Sequence, residues 1–386
     1  MSDHIPFEIQ AEIMKRLPVR SLIQFRSVSK AWKSHIDSSD FIAHYSSQQK
    51  HLLVRYGDSI EQKYVSIVDD DTFPQHKVSL TIPPSVKMLK YSRIFGSSHG
   101  LLCLKGDYRN VRGCPISGTG KAVIWNLSTR KTIDVIMPNM ANGIYGTALG
   151  FGVCRETNDP KIVKIIYIAI SSAMESISSV GREVEVFTLR TGAWRSPYNT
   201  NIPRKSIQFG YSNVLIDGFL YWLAEDFMNM DRSYNLIISF DITSEEFREV
   251  SLPYTLAHAA RWYRYLSISM LRESLVVLED VAVANGTFFG VWMMEDGVPK
   301  SFTKLFNVNV NTPNAFVKGF RKSGEPTIDI VEDLGINEIE PSFFVYHYLE
   351  TLLLFDQPDF GIYDKGKHYV AKWRAKRRLL RNASKV

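Results

Sequence analysis

The chain of 386 residues is 45% hydrophobic and 22% charged with a formal charge of +6, which provides for a substantial core spread over two or three domains. Three cysteines, Cys103, Cys114 and Cys154, are too few and too scattered for a disulfide framework and point to a reducing compartment, cytosol or nucleus. No run reaches the ~18 apolar residues of a membrane-spanning helix, and Met1-Ser2-Asp3-His4 passes straight into an amphipathic pattern without a secretory leader.

Ile5, Ile9, Ile13 and Leu17 recur every four residues, so on a 3.6-residue period they form one stripe of a helix. Pro6 suits a first helical turn, and Pro18 biases Leu17 out of the α region and closes the helix. A second short helix follows with Leu22 and Phe25 on its apolar side; Ser27 or Ser29 then caps a third carrying Val28, Trp32 and Ile36. Three helices in about 40 residues rarely bury enough apolar area to stand alone, so a partner surface is expected.

In order and spacing, Ile5-Pro6, Glu8 to Arg16, Leu17-Pro18-Val19-Arg20-Ser21-Leu22, the run Phe25 to Trp32 (FRSVSKAW) and Phe41 resemble an F-box. Two positions depart from the family pattern. Ile5 replaces the usual leading Leu, and Ser27 and Ser29 stand where cysteines are common; neither change alters the apolar face. The resemblance implies docking on a Skp-type adaptor, which links the chain to a cullin scaffold and a ubiquitin-conjugating enzyme. Carried over position by position, the implied contacts are Ile5, Pro6, Ile9, Ile13, Leu17, Pro18, Leu22, Phe25, Val28 and Trp32. Some of these must fill the trihelical core instead. A unit this small cannot hide every apolar group, and the prolines at helix ends fall where an interface is expected.

From about residue 50 the pattern changes to short alternating runs with turn chemistry, which reads as all-β. Val123 to Arg130, Val184 to Trp194, Ile238 to Phe247 and, more loosely, Gly290 to Gly297 repeat one idea: an alternating strand that ends in polar or glycine residues. Ile362 to Gly366 reads as a further copy. Asp and Asn at these ends can hydrogen-bond their own backbone and favour the reversal. Asp217-Gly218 between apolar runs signals a type I′ hairpin. Copies lie about 50 to 70 residues apart, close to the ~50-residue period of a kelch-like blade. The expected architecture is α+β, a small three-helix unit over residues 1–48 followed by a β-propeller-like domain over 49–370; a pair of β-sandwiches is the alternative.

This second region resembles the F-box-associated domain that follows the F-box in a large plant family. The resemblance rests on Ser97 to Leu104, Ile124 to Arg130, Ala148 to Gly152, Val184 to Trp194, Val214 to Ala224, Ser239-Phe240-Asp241 through Leu252-Pro253, and Val291-Trp292-Met293. It fades beyond residue 310. It implies a non-catalytic receptor that holds a target protein for ubiquitination, with no cofactor. A binding protein that pairs with a Skp adaptor without cullin is the alternative, and a propeller hydrolase a weaker third.

Catalytic motifs fail on inspection. In Gly113 to Ala122 a phosphate-cradling loop would need Gly at Pro115 and Ser or Thr at Ala122, so the stretch reads as a loop between strands. The nine histidines lack the close spacing of a metal motif. His99 caps a strand, and Cys103, within an apolar run, lacks the basic surroundings that activate a thiol. Trp125, Trp194, Trp222 and Trp292 fall at similar places in the repeats and are expected as core between blades. The positive charge is local: Lys372, Arg374, Lys376, Arg377, Arg378, Arg381 and Lys385 crowd a C-terminal tail, 371–386, free of acidic residues, and setting these seven aside leaves 39 basic against 40 acidic residues. That distribution argues against a nucleic-acid groove; the tail reads as a solvated terminus, with nuclear import as its other reading.

Overall fold

The computed structural model describes residues 5–57, 62–109, 115–137, 145–168, 183–199, 201, 203–229, 232–259, 264–283, 286–297, 300–310, 317–328, 344–355 and 361–363. It opens with four helices, one more than expected: α1 (Phe7–Met14), α2 (Val19–Phe25), α3 (Lys30–Ile36) and α4 (Ser39–His44). Pro6 and Pro18 stand at the N-caps of α1 and α2 with extended ψ of 146° and 149°, where a missing N–H costs nothing. Pro18 therefore starts the second helix; α1 has already ended by Lys15. Ser29, rather than Ser27, caps α3 by accepting the Trp32 N–H at 3.1 Å, and Val28 lies in the turn before it. Ser38 caps α4 in the same way through the Phe41 N–H at 3.2 Å, and buried Phe41 and Ile42 hold that extra helix on the core.

Beyond Tyr45 the chain forms a ring of sheets, not two stacked sandwiches. β1 (Ser46–Gly57), β2 (Gln62–Val68) and β3 (Lys77–Ser79) are followed, after helix α5 (Pro84–Lys87), by β4 (Lys90–Ser98), β5 (Leu101–Arg109), β6 (Pro115–Asn126) and β7 (Thr132–Met137). The third sheet holds β8 (Tyr145–Val153), β9 (Pro160–Ile168), β10 (Glu183–Thr188) and β11 (Ala193–Arg195). The fourth holds β12 (Ile207–Ile216), β13 (Phe219–Asn229), β14 (Arg232–Asp241) and β15 (Phe247–Ser251). After helix α6 (Tyr254–Ala257), the fifth holds β16 (Arg264–Leu271), β17 (Ser274–Val283), β18 (Gly286–Glu295) and β19 (Ser301–Val310). A short pair, β20 (Val317–Phe320) and β21 (Pro326–Ile328), precedes β22 (Phe344–Thr351), which returns to the first sheet in the order β22-β1-β2-β3.

Strands β4, β8, β12, β16, β20 and β22 touch in succession, and β22 touches β4 again, so five full blades and one short pair close into a propeller. Closure is made by β22 and β1, antiparallel with Leu53 opposite Tyr346 and Leu52 opposite His347. Because each strand alternates its faces, every blade presents one apolar face to each neighbour. The core accordingly lies between blades. Leu102, Trp125, Tyr64 and Tyr348 fill the first interval, Ile124, Phe151 and Phe187 the second, Ile165, Trp222 and Phe240 the third, Ile237 and Leu275 the fourth, and Val276 and Phe320 the fifth.

The repeated stretches of the sequence are third strands running into the turn before the fourth. In two of them the Asn or Asp side chain makes the reversal. Asn126 Oδ1 accepts from the Ser128 and Thr129 amides at 2.8 and 2.9 Å, and Asp241 Oδ1 from the Thr243 amide at 2.8 Å. The fifth residue of each turn is left-handed: Arg130, Gly192 and Glu245, with φ of 63°, 65° and 60°. Asp217-Gly218, with φ of 52° and 78°, is the expected I′ hairpin, and His99-Gly100 (48° and 74°) forms another. A Cβ on Gly100 would stand 2.2 Å from the Leu349 carbonyl oxygen, so that turn is pressed against the closing strand.

Three expectations need correction. From Pro115 onward the glycine-rich stretch is strand β6, with Lys121 buried 2.7 Å from Asp134 Oδ2, because it pairs with both β5 and β7; Gly113 and Cys114 lie outside the described residues. Ile362 belongs to β23 (Gly361–Tyr363), which adds in parallel to the outer edge of β7 and does not begin another blade. Asp364 to Gly366 and the basic tail lie outside the described residues. The four tryptophans do not share one blade position: Trp125 and Trp292 sit on third strands, Trp222 on a second and Trp194 on a fourth. Trp222 and Trp194 nevertheless join neighbouring blades, donating to the carbonyls of Leu149 and Ile136 at 3.0 and 2.9 Å.

Candidate functional site

The helices pack around Met14, Val19, Leu22, Ile36, Phe41, Ile42 and Tyr45, and Leu352, just after the closing strand, completes that core. Val19 N–H donates to Glu350 Oε2 at 3.0 Å, Tyr45 Oη–H donates to the Leu17 carbonyl, and the Arg26 guanidinium lies 4.7 Å over the Phe355 ring. Burial, with the Glu350 charge adding to it, pushes the Tyr45 phenol well up, so it remains a donor. Arg26 also grips Asp37 with two bonds, 2.6 and 2.8 Å, and Trp32 Nε1 donates to Gln10 Oε1 at 2.6 Å. These contacts orient the helical unit on the propeller and on itself.

The opposite side of the unit is bare. Ile5, Ile9 and Ile13 are 53%, 52% and 45% exposed, and Val28 is 61% exposed. The four-residue step along α1 places Ile9 and Ile13 on one face, and Ile5 lies just ahead of the helix, before its N-cap Pro6. Pro6 and Pro18 are exposed beside them, and Leu17, Phe25 and Trp32 are half-buried. Leu22 is the exception among the ten residues singled out: it is fully buried, because α2 turns that side toward Val19, Ile36 and Leu352. Phe7, also 40% exposed, is two residues from Ile9 and so on the other side of α1, where its edge meets the His35 ring at 5.4 Å. Apolar side chains grouped on the surface of so small a unit are the kind of surface that interaction sites use.

A second feature is a cavity of 1330 Å³ at one mouth of the propeller. The turns His99-Gly100, Asp217-Gly218, Arg272-Glu273 and Arg321-Lys322 rim it, and Met270, Phe219, Tyr221, Met294 and Phe320 give it apolar wall. Tyr348 and Leu349 line it as well, immediately before Glu350 and Leu352, which hold the helices. The mouth therefore opens at the end of the propeller where the helices attach. His99 and His347, also in its lining, are held below the usual imidazole range, chiefly by burial, so both are neutral near pH 7.

The described residues include no group of three or more His, Cys, Asp or Glu placed to hold a metal, and no helix long and apolar enough to cross a membrane. Cys103 is buried, and burial pushes its thiol well up, which is the opposite of an activated nucleophile.

Comparison with known proteins agrees with this division of the chain. A model of the F-box domain matches residues 2–44, and a model of the F-box associated beta propeller domain matches residues 70–371. Among curated relatives, F-box protein CPR1 of Arabidopsis thaliana is 26% identical over 327 residues, covering 79% of this chain and 73% of its own. The F-box/kelch-repeat protein At3g23880 from the same plant is 24% identical, covering 79% of each. Among solved structures, Bombyx mori GH32 beta-fructofuranosidase BmSUC1 overlays with a TM-score of 0.34 at 10% identity, covering 56% of this chain and 49% of that one, a likeness that carries no argument about activity. With an F-box at its N-terminus and the matched propeller filling most of the remainder, the chain belongs to the family of F-box proteins with an F-box associated beta propeller domain.

Proposed function

We propose that this protein is the substrate-receptor subunit of a Skp-cullin-F-box ubiquitin ligase. The helical unit attaches to a Skp-type adaptor through Ile5, Pro6, Ile9, Ile13, Pro18 and Val28, with the half-buried Leu17, Phe25 and Trp32 at the margin. The propeller holds a target protein. The reading is carried by one observation: α1 leaves its isoleucine stripe uncovered while the other side of the same unit is fastened to the propeller. The receptor does no bond chemistry of its own. Its contribution is proximity, since two attachments on one chain raise the effective concentration of target lysines beside activated ubiquitin.

Co-expression of the full chain with a Skp-type adaptor and a cullin tests this. Both should co-purify with it in stoichiometric amounts. Adaptor retained without cullin favours a binding protein that is not part of a ligase, and loss of both overturns the assignment.

A further inference from the structure

Seven basic side chains line the cavity at the propeller mouth against four carboxylates. Each of those carboxylates already has a partner. Glu273 lies 3.5 Å from Lys50, Asp296 3.4 Å from Lys300, Glu249 2.9 Å from Arg204, and Asp217 pairs with Arg155. Two other lining cations are also engaged, Arg248 with Glu246 at 3.1 Å and Arg321 with buried Asp69 at 3.1 Å. Arg272 and Lys322 differ. Among the described residues neither side chain has a hydrogen bond or ion pair, and both are exposed at the rim.

The turns hold these two charges in place. Arg272 sits at a left-handed position, φ 49°, in the β16–β17 hairpin. Its guanidinium lies 3.5 Å from where a Cβ on Gly324 would stand, so it rests against the β20–β21 turn that carries Lys322. The Lys322 amide in turn donates to Asp69 Oδ2 at 2.8 Å, which fixes the turn to the first blade. Two unpaired cations thus overhang an apolar wall of Met270, Phe320 and Tyr348.

We infer that this mouth receives an acidic polypeptide segment, with carboxylates at Arg272 and Lys322 and apolar side chains against Met270, Phe320 and Tyr348. The inference rests on the reading of the propeller as the target-holding part and gives that target its chemistry. Size favours a peptide over a metabolite, since the cavity exceeds the ~300–1,000 Å³ of sites for small molecules. The chain's own tail, basic over residues 372–385, is repelled by this rim. Nucleic acid is disfavoured because, with the seven tail cations set aside, the chain carries 39 basic against 40 acidic residues.

The test is fluorescence anisotropy with a fluorescein-labelled deca-glutamate peptide and the full chain bound to its adaptor. Binding should saturate and weaken steadily as sodium chloride rises. It should fall by roughly ten-fold or more in the double variant Arg272→Glu/Lys322→Glu, with an unchanged melting curve. A milder pair, Arg272→Gln/Lys322→Gln, keeps the question open to measurement if charge reversal harms folding, and should weaken binding by a smaller factor. Lys87→Glu, a surface charge outside the lining, should have no effect. No binding by the wild type, equal binding by both double variants, or tighter binding of a ten-nucleotide oligothymidylate each overturns the inference. Retention of adaptor and cullin is scored separately, so loss of peptide binding with the ligase intact removes this inference alone.

Discussion

Replacing Ile9 and Ile13 together by Asp should leave the melting temperature of the chain nearly unchanged and weaken capture of a Skp-type adaptor by about a thousand-fold. The two side chains are half-exposed on α1 and contribute little to the helical core. In a complex they become buried anchors, each worth on the order of 2 kcal/mol when lost, and about 4 kcal/mol corresponds to three decades in Kd. Leu22→Asp supplies the contrast. It buries a charge in the helical core, so it should melt the unit instead of acting on the surface. Surface plasmon resonance with parallel melting curves separates the two; unchanged adaptor affinity in the Ile9/Ile13 variant would remove the docking face proposed here.

The largest stability effect should come from Glu245, which clamps the third blade to the fourth. It lies in the β14–β15 turn with its side chain fully buried. It accepts from Arg195 at 2.6 and 2.7 Å, from Lys161 at 2.9 Å and from the Tyr198 amide at 2.9 Å. Glu245→Ala leaves Lys161, itself nearly buried, without its counter-charge, a change that typically costs about 3–5 kcal/mol. Burial alone would raise this carboxyl, but the bonds from Arg195, Lys161 and the Tyr198 amide outweigh it and hold the group below its ordinary value of 4.5. A carboxyl lowered by folding stabilises the native state fully above its unfolded pKa, and that contribution is lost as pH falls through the folded one. The melting-temperature gap between wild type and Glu245→Gln should therefore be constant near neutrality and shrink below about pH 4.5. A gap that widens in acid would contradict the assigned role.

Local chemistry was legible in the sequence; partners distant along the chain were not. Asn126 and Asp241 announced their turns because an Asx side chain bonds the amides two or three residues on, a short-range effect. Asp217-Gly218 announced its hairpin for the same kind of reason. Nothing local marks Arg130 or Glu245 as left-handed, since only the Gly192 copy of that turn carries the residue that favours it. The isoleucine stripe of α1 was visible, but periodicity cannot say whether a given face meets core or water. Leu22 turned inward because Leu352 and Glu350, more than 300 residues later, sit under the helices. The mouth cavity was invisible for this reason too: its lining runs from Lys50 to Leu349 and is assembled only when β22 closes the ring. Ile362 shows the limit of short strand patterns, because three residues fit a parallel edge strand as well as a blade.

The uncovered face of α1 is the place proposed for the ligase to take hold. Hydrogen–deuterium exchange on the full chain, with and without saturating Skp-type adaptor, addresses it directly. A helix of only about two turns opens readily, so amides of residues 7–14 should exchange quickly in the free chain and slow markedly in the complex, while β14 in the propeller core stays the same. Adaptor bound with residues 7–14 exchanging as fast as before would contradict the account.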